Sequence, residues 1–350
     1  MTLIFKLVLI VMITTHLFSC DKADNSRDEN QPNPTVKVNE PKPISDLTRD
    51  AWNHYHIYGV DSFSQPVVCM AELKKQITEL IKNPSDEALG ESREYVATCL
   101  SIYKATTIFI AANKTTQLAL DKLRGRIATR LEMPGFIDAI EGYPFSGIVN
   151  DTSLPLTKND LINQHGLTDP NDVSLGFYVL EFLLWGENTN PEKHIARMSN
   201  DFAPAIEWQK QDIEIGLNEL DIKEHPNNRR RRYLELATLI LEADLNQLAT
   251  TWNKNTLPPL NQETSQVLKL KVFNLLKDSA AEIKTTDSEL LETLLPLLLE
   301  ENDNQSKPSS LSQWLGVQGH KALEDLTNQE TPDSAKITAL KSLFELPATN

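Results

Sequence analysis

An all-α protein of two helical bundles joined by an irregular connection is what this sequence predicts, and three observations carry that expectation. Glycine supplies only 12 of 350 residues, about half its usual share of roughly 7%, which argues against a turn-rich β protein. Apolar residues recur at spacings of three and four over long stretches, the signature of amphipathic helices. Alternation at period two, the mark of a half-buried strand, is scarce. The chain is 40% hydrophobic, ample for a core, and its length fits about two domains. A net charge of −15 counts against nucleic acid as a partner, because phosphate binding needs clustered cations.

The first element is an address. Lys6 precedes an apolar run, Leu7–Phe18, broken only by Thr14, Thr15 and His16. That run is too short to span a bilayer and fits the core of a secretory signal over residues 1–19. Its end, Leu17-Phe18-Ser19-Cys20, resembles a bacterial lipobox. The resemblance implies cleavage before Cys20, acylation of Cys20, and hence a membrane as partner. The protein would then be a periplasm-facing lipoprotein of the bacterial envelope, on the inner or the outer membrane. The alternative is an ordinary signal peptide with an incidental cysteine. Residues 20–50 are rich in Asp, Asn, Pro and Lys and read as a flexible tether, with too little apolar surface to offset the entropy of ordering.

The folded body then divides into an N-terminal bundle, 51–187, and a C-terminal bundle, 188–350. Helices are expected at 64–82 and 86–112, separated by Asn83-Pro84-Ser85 with Ser85 as N-cap. Cys69 and Cys99 lie fifteen residues on either side of Pro84, level in an antiparallel hairpin. An exported protein meets an oxidising compartment, so a disulfide is one reading; two buried thiols are the other. Neither cysteine has zinc-ligand spacing. A helix at 118–131 precedes a turn-rich stretch containing Pro134-Gly135, Gly142-Tyr143-Pro144 and Ser146-Gly147. A helix at 173–185 stops at Gly186. Further helices are expected at 194–220, 227–253, 262–283, 287–300, 308–326 and 334–346. Leu234, Ala237, Leu241, Leu245, Leu248 and Trp252 form one helical stripe. The run Arg229–Arg232 reads as a solvated face or as local ion pairs. His54 and His56 read as surface residues, and His320 has no partner in sequence.

The helix at 173–185 is anomalous. Leu175 to Gly186 is apolar nearly all round, so the helix should be buried. Glu181 is its one carboxylate, and a buried carboxylate must be protonated, paired, hydrogen-bonded or bound to a cation. Tyr178, three residues earlier, shares its face. The pair is either a hydrogen bond within the core or half of a metal or ligand site.

The segment Gly176-Phe177-Tyr178-Val179-Leu180-Glu181-Phe182-Leu183-Leu184-Trp185-Gly186 resembles the GxHxxEFLLWG signature of the imelysin family. Pro134–Asp138, Gly142–Asp151 and Gln164–Leu167 resemble the block that precedes it. The likeness covers about residues 63–350 in organisation, with its specific motifs between 134 and 187. It implies two helical bundles with the motif helix near their interface. It also implies either handling of iron, with an iron-uptake or surface protein as partner, or a metallopeptidase activity of the imelysin type. Where the family carries His, this chain carries Tyr178, and a phenolate is a harder donor than imidazole. That change disfavours a zinc-type peptidase and leaves ferric iron open as cofactor or cargo. Further ligands are then needed, and Asp138 and His165 are the candidates beside Tyr178 and Glu181. No HExxH, GxSxG, Walker motif or GxGxxG is present. The expected function is therefore a lipid-anchored protein that binds iron or an iron-bearing ligand. A non-catalytic, protein-binding lipoprotein stands second.

Overall fold

The computed structural model describes residues 45–187, 197–214, 216–283, 288–302, 305–318, 321–326 and 332–345. The signal segment, Cys20, nearly all of the tether and His320 lie outside the described residues. The described chain is helical: α1 (Asp46–Lys82), α2 (Asp86–Lys104), α3 (Lys114–Ala128), α4 (Lys158–Gln164), α5 (Phe177–Trp185), α6 (Lys210–Glu214), α7 (Pro226–Asn253), α8 (Gln262–Glu282), α9 (Ser288–Leu298), α10 (Ser310–Leu315), α11 (Lys321–Leu326) and α12 (Asp333–Glu345). Among the described residues no helix is long and apolar enough to cross a membrane.

Helix α1 begins at Asp46, inside the segment read as tether. Ser45 caps it, accepting the Thr48 N–H at 3.2 Å. Thr48, Ala51, Trp52 and Tyr55 then bury one face at helical spacing. Helix α2 is capped in the same way by Ser85, which accepts the Ala88 N–H at 3.1 Å. It stops at Lys104, short of the expected 112. The Thr106 and Thr107 hydroxyls turn back onto the Tyr103 and Lys104 carbonyls, and the chain tightens into a 3₁₀ turn at Ala105–Ile108.

Three other expectations are corrected. The helix expected at 194–220 is, over its described part, a series of 3₁₀ turns around the one-turn α6, interrupted by Pro204 and by Gly216 at φ 81°. The helix expected at 308–326 is broken into α10 and α11, with Gly316 in the left-handed region at φ 84°. The helix expected to run to 300 ends at Leu298, and the chain forms an antiparallel hairpin, β1 (Leu299–Asn302) with β2 (Gln305–Pro308), pairing Leu299 with Pro308 and Asn302 with Gln305. Four residues per strand are too few to leave a visible alternation in sequence.

Packing does not follow chain order. Helix α1 packs against α2, α7, α9 and α10, while α3 and α5 pack against α7. Trp252 of α7 is the anchor of the α1–α7 crossing. Its ring lies 5.0 Å from Phe63, 5.5 Å from Phe109 and 6.1 Å from Tyr55. The backbones can approach because Gly59 faces that ring; any Cβ there would strike the indole. His56 is not a free surface residue. It stacks on Trp252 at 5.6 Å, and each ring hydrogen-bonds the other residue's carbonyl, at 3.1 and 3.2 Å. His54 is also engaged, with Nε2 at 3.1 Å from the Pro296 carbonyl and 3.2 Å from that of Leu297. It ties α1 to α9.

Cys69 of α1 and Cys99 of α2 are joined by a disulfide, with Cα atoms 5.6 Å apart. It closes a loop with a sequence separation of 30, so chain entropy puts its contribution at about 3–4 kcal/mol. The denatured, unreduced protein should therefore show no free thiol from Cys69 or Cys99. Cys69→Ala/Cys99→Ala should lower unfolding free energy by about that amount in urea titration. Two titratable thiols in the native sequence would contradict the bond.

Candidate functional site

Helix α5 is placed by contacts at both of its ends. At the N-terminal end the chain enters through Gly176, at φ 104° and ψ −178°, a conformation open essentially to glycine. A Cβ there would strike the Ile127 carbonyl oxygen and lie 2.6 Å from that of Arg126, so the end of α3 sits directly on this backbone. Just upstream, Ser174 is fixed on three sides. Its hydroxyl donates to the Leu161 carbonyl at 2.7 Å, its carbonyl accepts from the buried Tyr233 hydroxyl at 2.8 Å, and its N–H donates to His165 Nδ1 at 3.3 Å.

The C-terminal end of α5 leaves carbonyls without helical donors, and two arginines supply them. Arg93 of α2 donates to the Leu184 carbonyl at 2.9 and 3.1 Å and to the Arg197 carbonyl at 2.8 Å, and its guanidinium lies 5.5 Å over the Trp185 ring. The Arg197 N–H donates to the Trp185 carbonyl at 3.2 Å.

The Arg197 side chain continues into a buried charge cluster around Asp138. That carboxylate is 0% exposed. Its Oδ2 takes Arg197 Nη2 at 2.5 Å and Arg230 Nε at 2.6 Å, while Oδ1 takes the Ala139 N–H at 2.7 Å and Asn150 Nδ2 at 3.3 Å. Arg229 is buried beside it and donates to the carbonyls of Ile148, Val149, Asp151 and Leu154 and to the Glu224 carboxylate. The reading of Arg229–Arg232 as a solvated face is thus overturned for its first two members, which clamp the 134–156 block onto α7. Only Arg232, paired with Glu235 at 3.3 Å, fits that reading. The block folds tightly enough that a Cβ on Gly147, at φ 83°, would collide with the Ile137–Asp138 peptide.

These ends fix which side of α5 meets solvent. Phe177, Val179, Leu180, Phe182, Leu183 and Leu184 are buried. Tyr178 and Trp185 are half-buried and Glu181 is exposed, a stripe at i, i+3 and i+7. Glu181 is therefore not the buried carboxylate that the apolar helix suggested. Tyr178 and Glu181 do share a face, but it is the outer one, and among the described residues no hydrogen bond joins them.

Two cations from other elements flank the stripe. Arg130, just beyond α3, holds its guanidinium 5.7 Å from the Tyr178 ring centre, within cation–π range. Lys104, at the end of α2, and Arg130 both act on Glu181. Partial desolvation raises the Glu181 carboxyl above its ordinary value, and the Lys104 and Arg130 charges oppose that rise. Beneath the stripe, burial pushes the Tyr103 phenol up to about 12, so it stays protonated and supplies no phenolate.

The four donors considered from sequence are not brought together. Asp138 is consumed by Arg197 and Arg230. His165 has both ring nitrogens in use: Nδ1 accepts from the Ser174 N–H, and Nε2 lies 3.2 Å from the Gly125 carbonyl. That arrangement places the proton on Nε2. Burial lowers its pKa, with the Gly125 hydrogen bond opposing. His165 thus joins the end of α3 to the start of the motif. Among the described residues no three His, Cys, Asp or Glu side chains gather as metal ligands. Tyr178 and Glu181 share the outer face of α5, within reach of the Lys104 and Arg130 charges. Lys104, Arg130, Arg93 and Arg197 went unseen in the sequence because they reach the motif from distant positions. The Arg229–Arg232 run was the one visible signal of the buried cluster.

Two outcomes follow. Asp138→Asn should cost about 3–5 kcal/mol in urea denaturation, because it leaves two buried guanidiniums without their counter-charge; a loss below about 1 kcal/mol would show the cluster to be dispensable. For Glu181, a folded pKa above the unfolded one means that ionisation weakens the fold as pH rises through that window. Glu181→Gln should then match the native melting temperature at pH 4 and slightly exceed it at pH 7, and a lower value at pH 7 would contradict the shift.

No curated protein matches the chain. The family model described as Imelysin matches residues 59–324, about three quarters of the sequence. It spans the Gly176–Gly186 signature and the clamped block before it, and the chain belongs to the imelysin family.

Proposed function

We propose that this protein is a lipid-anchored binding protein of the bacterial envelope whose α5 face takes iron as an anionic chelate. The observation that carries the reading is the outward stripe of Tyr178, Glu181 and Trp185 on a helix otherwise wholly buried. A binding face needs exposed, rigidly held groups, and both ends of this helix are pinned. The local charge selects the form of the cargo. Lys104 and Arg130 beside one carboxylate repel a bare cation but complement the carboxylates of a chelate. Tyr178 and Glu181 are hard oxygen donors suited to open positions on ferric iron. The lipobox at Leu17–Cys20 and the membership of the family support the envelope setting. A peptidase centre is less well served by this arrangement, in which position 178 is Tyr and, among the described residues, no group of three His, Cys, Asp or Glu gathers.

A second reading, a docking surface for another protein, is favoured by one feature. Tyr143 and Phe145 are each 66% exposed on the turn that the Glu141–Glu187 hydrogen bond ties to the end of the motif.

The test uses the full chain purified in detergent, incubated with ferric citrate or with ferrous ion, desalted and assayed for iron per chain. Near-stoichiometric iron from ferric citrate is expected, with a phenolate-to-iron absorption band. Both should fall at least tenfold in Tyr178→Phe and Glu181→Ala, and less steeply in Arg130→Ala. Iron retention unchanged by these substitutions, or none in the native chain, would overturn the proposal and favour the protein-docking reading.

A further inference from the structure

A second site lies away from the α5 face. A cavity of about 330 Å³ opens between α1, the end of α2 and α9, at the lower end of the range of small-molecule pockets. Its polar wall includes Asp61 and Ser62 from α1 and Glu292 from α9, and its apolar wall includes Ile102, Ala105 and Pro296. Among the described residues no Lys or Arg lines it.

Two features at Ser62 mark the wall as incomplete. The residue is 7% exposed, yet its hydroxyl has no hydrogen-bond partner among the described residues. Its carbonyl lacks the usual i+4 helical donor, because that residue is Pro66, inside α1 and without an N–H. Buried polar groups ordinarily find partners, so the unpartnered hydroxyl calls for one from outside the chain. Asp61 and Glu292 are exposed, and among the described residues neither enters an ion pair; Asp61 Oδ1 accepts from Gln65 Nε2 at 3.5 Å. The wall therefore offers acceptors and negative charge, with hydrocarbon beside them.

We propose that this cavity binds a small primary amine, with the ammonium group on the acceptors of Asp61, Ser62 and Glu292 and its alkyl part against Ile102, Ala105 and Pro296. An ammonium carries three N–H donors and one positive charge, which answers both the unpartnered hydroxyl and the two carboxylates. A divalent metal fits less well, since the wall supplies only two carboxylates and is apolar over much of its extent. The inference is independent of the α5 face, and its variants leave Tyr178 and Glu181 intact.

Calorimetric titration of the full chain in detergent with butylamine tests it, with tetramethylammonium as a cation that lacks N–H donors and calcium as a competing cation. Saturable butylamine binding is expected, at least tenfold weaker in Asp61→Asn and in Glu292→Gln, and several-fold weaker in Ser62→Ala. Tetramethylammonium should bind at least tenfold more weakly than butylamine, and Glu72→Gln on the exposed side of α1 should change nothing. The proposal is overturned by absence of butylamine binding, by affinity undiminished in both carboxylate variants, by equal binding of tetramethylammonium, or by calcium taking the site in place of the amine.

Discussion

The buried carboxylate of Asp138 is the constraint on which the rest of the functional region depends. A charge removed from water is tolerable only when it is paired and its remaining lone pairs are used. Asp138 meets that condition with Arg197, Arg230, Asn150 and its neighbour's N–H. Arg197 and Arg230 come from elsewhere in the chain, and the cluster therefore joins the 134–156 block, the segment after α5 and the start of α7. Such a cluster is weak evidence for net stability, since an apolar replacement could serve as well. What it does is set position: Arg197 binds Asp138 through its side chain and the Trp185 carbonyl through its backbone N–H.

Position is what the motif helix requires. Helix α5 is only nine residues long and could not hold its shape alone. Apolar burial on most of its circumference supplies cohesion, but burial is non-directional and does not fix which residues face out. Direction comes from polar contacts at the two ends. Gly176 lets the backbone of α3 approach, His165 and Tyr233 hold Ser174, and Arg93 and Arg197 take the last carbonyls. The outcome is one narrow outward stripe, with Arg93, Lys104 and Arg130 gathered beside it. Tyr178, half-buried, stands on that stripe.

Much of this architecture was legible in the sequence, for identifiable reasons. The stripe from Leu234 to Trp252 is a local periodicity and appears as one helix, α7. Ser85 after Pro84 marks a helix start by local chemistry alone. Cys69 and Cys99 could be seen as level because a helical hairpin turns symmetric spacing into proximity, although sequence could not choose between thiols and a bond. The misread elements are those whose local signal competes with distant contacts. Arg229 and Arg230 look like a solvated charge run until the carbonyls of residues 148–154 and Asp138 arrive to neutralise them. His56 looks exposed until Trp252, 196 residues away, stacks on it.

The sequence by itself determined the helical class, the main helices and their caps, and the family, because these depend on periodicity and on residues adjacent in the chain. It also supplied the pairing of Tyr178 with Glu181 on one helical face. Only the tertiary structure decided that this face is the outer one, that Asp138 is held by Arg197 and Arg230 and His165 by Ser174 and Gly125, and that the charges of Lys104 and Arg130 act on Glu181. Helical spacing specifies which residues share a side but not what that side meets. The missing information lies in the approach of α2, α3 and α7, which is set by packing and by the buried charges that join them.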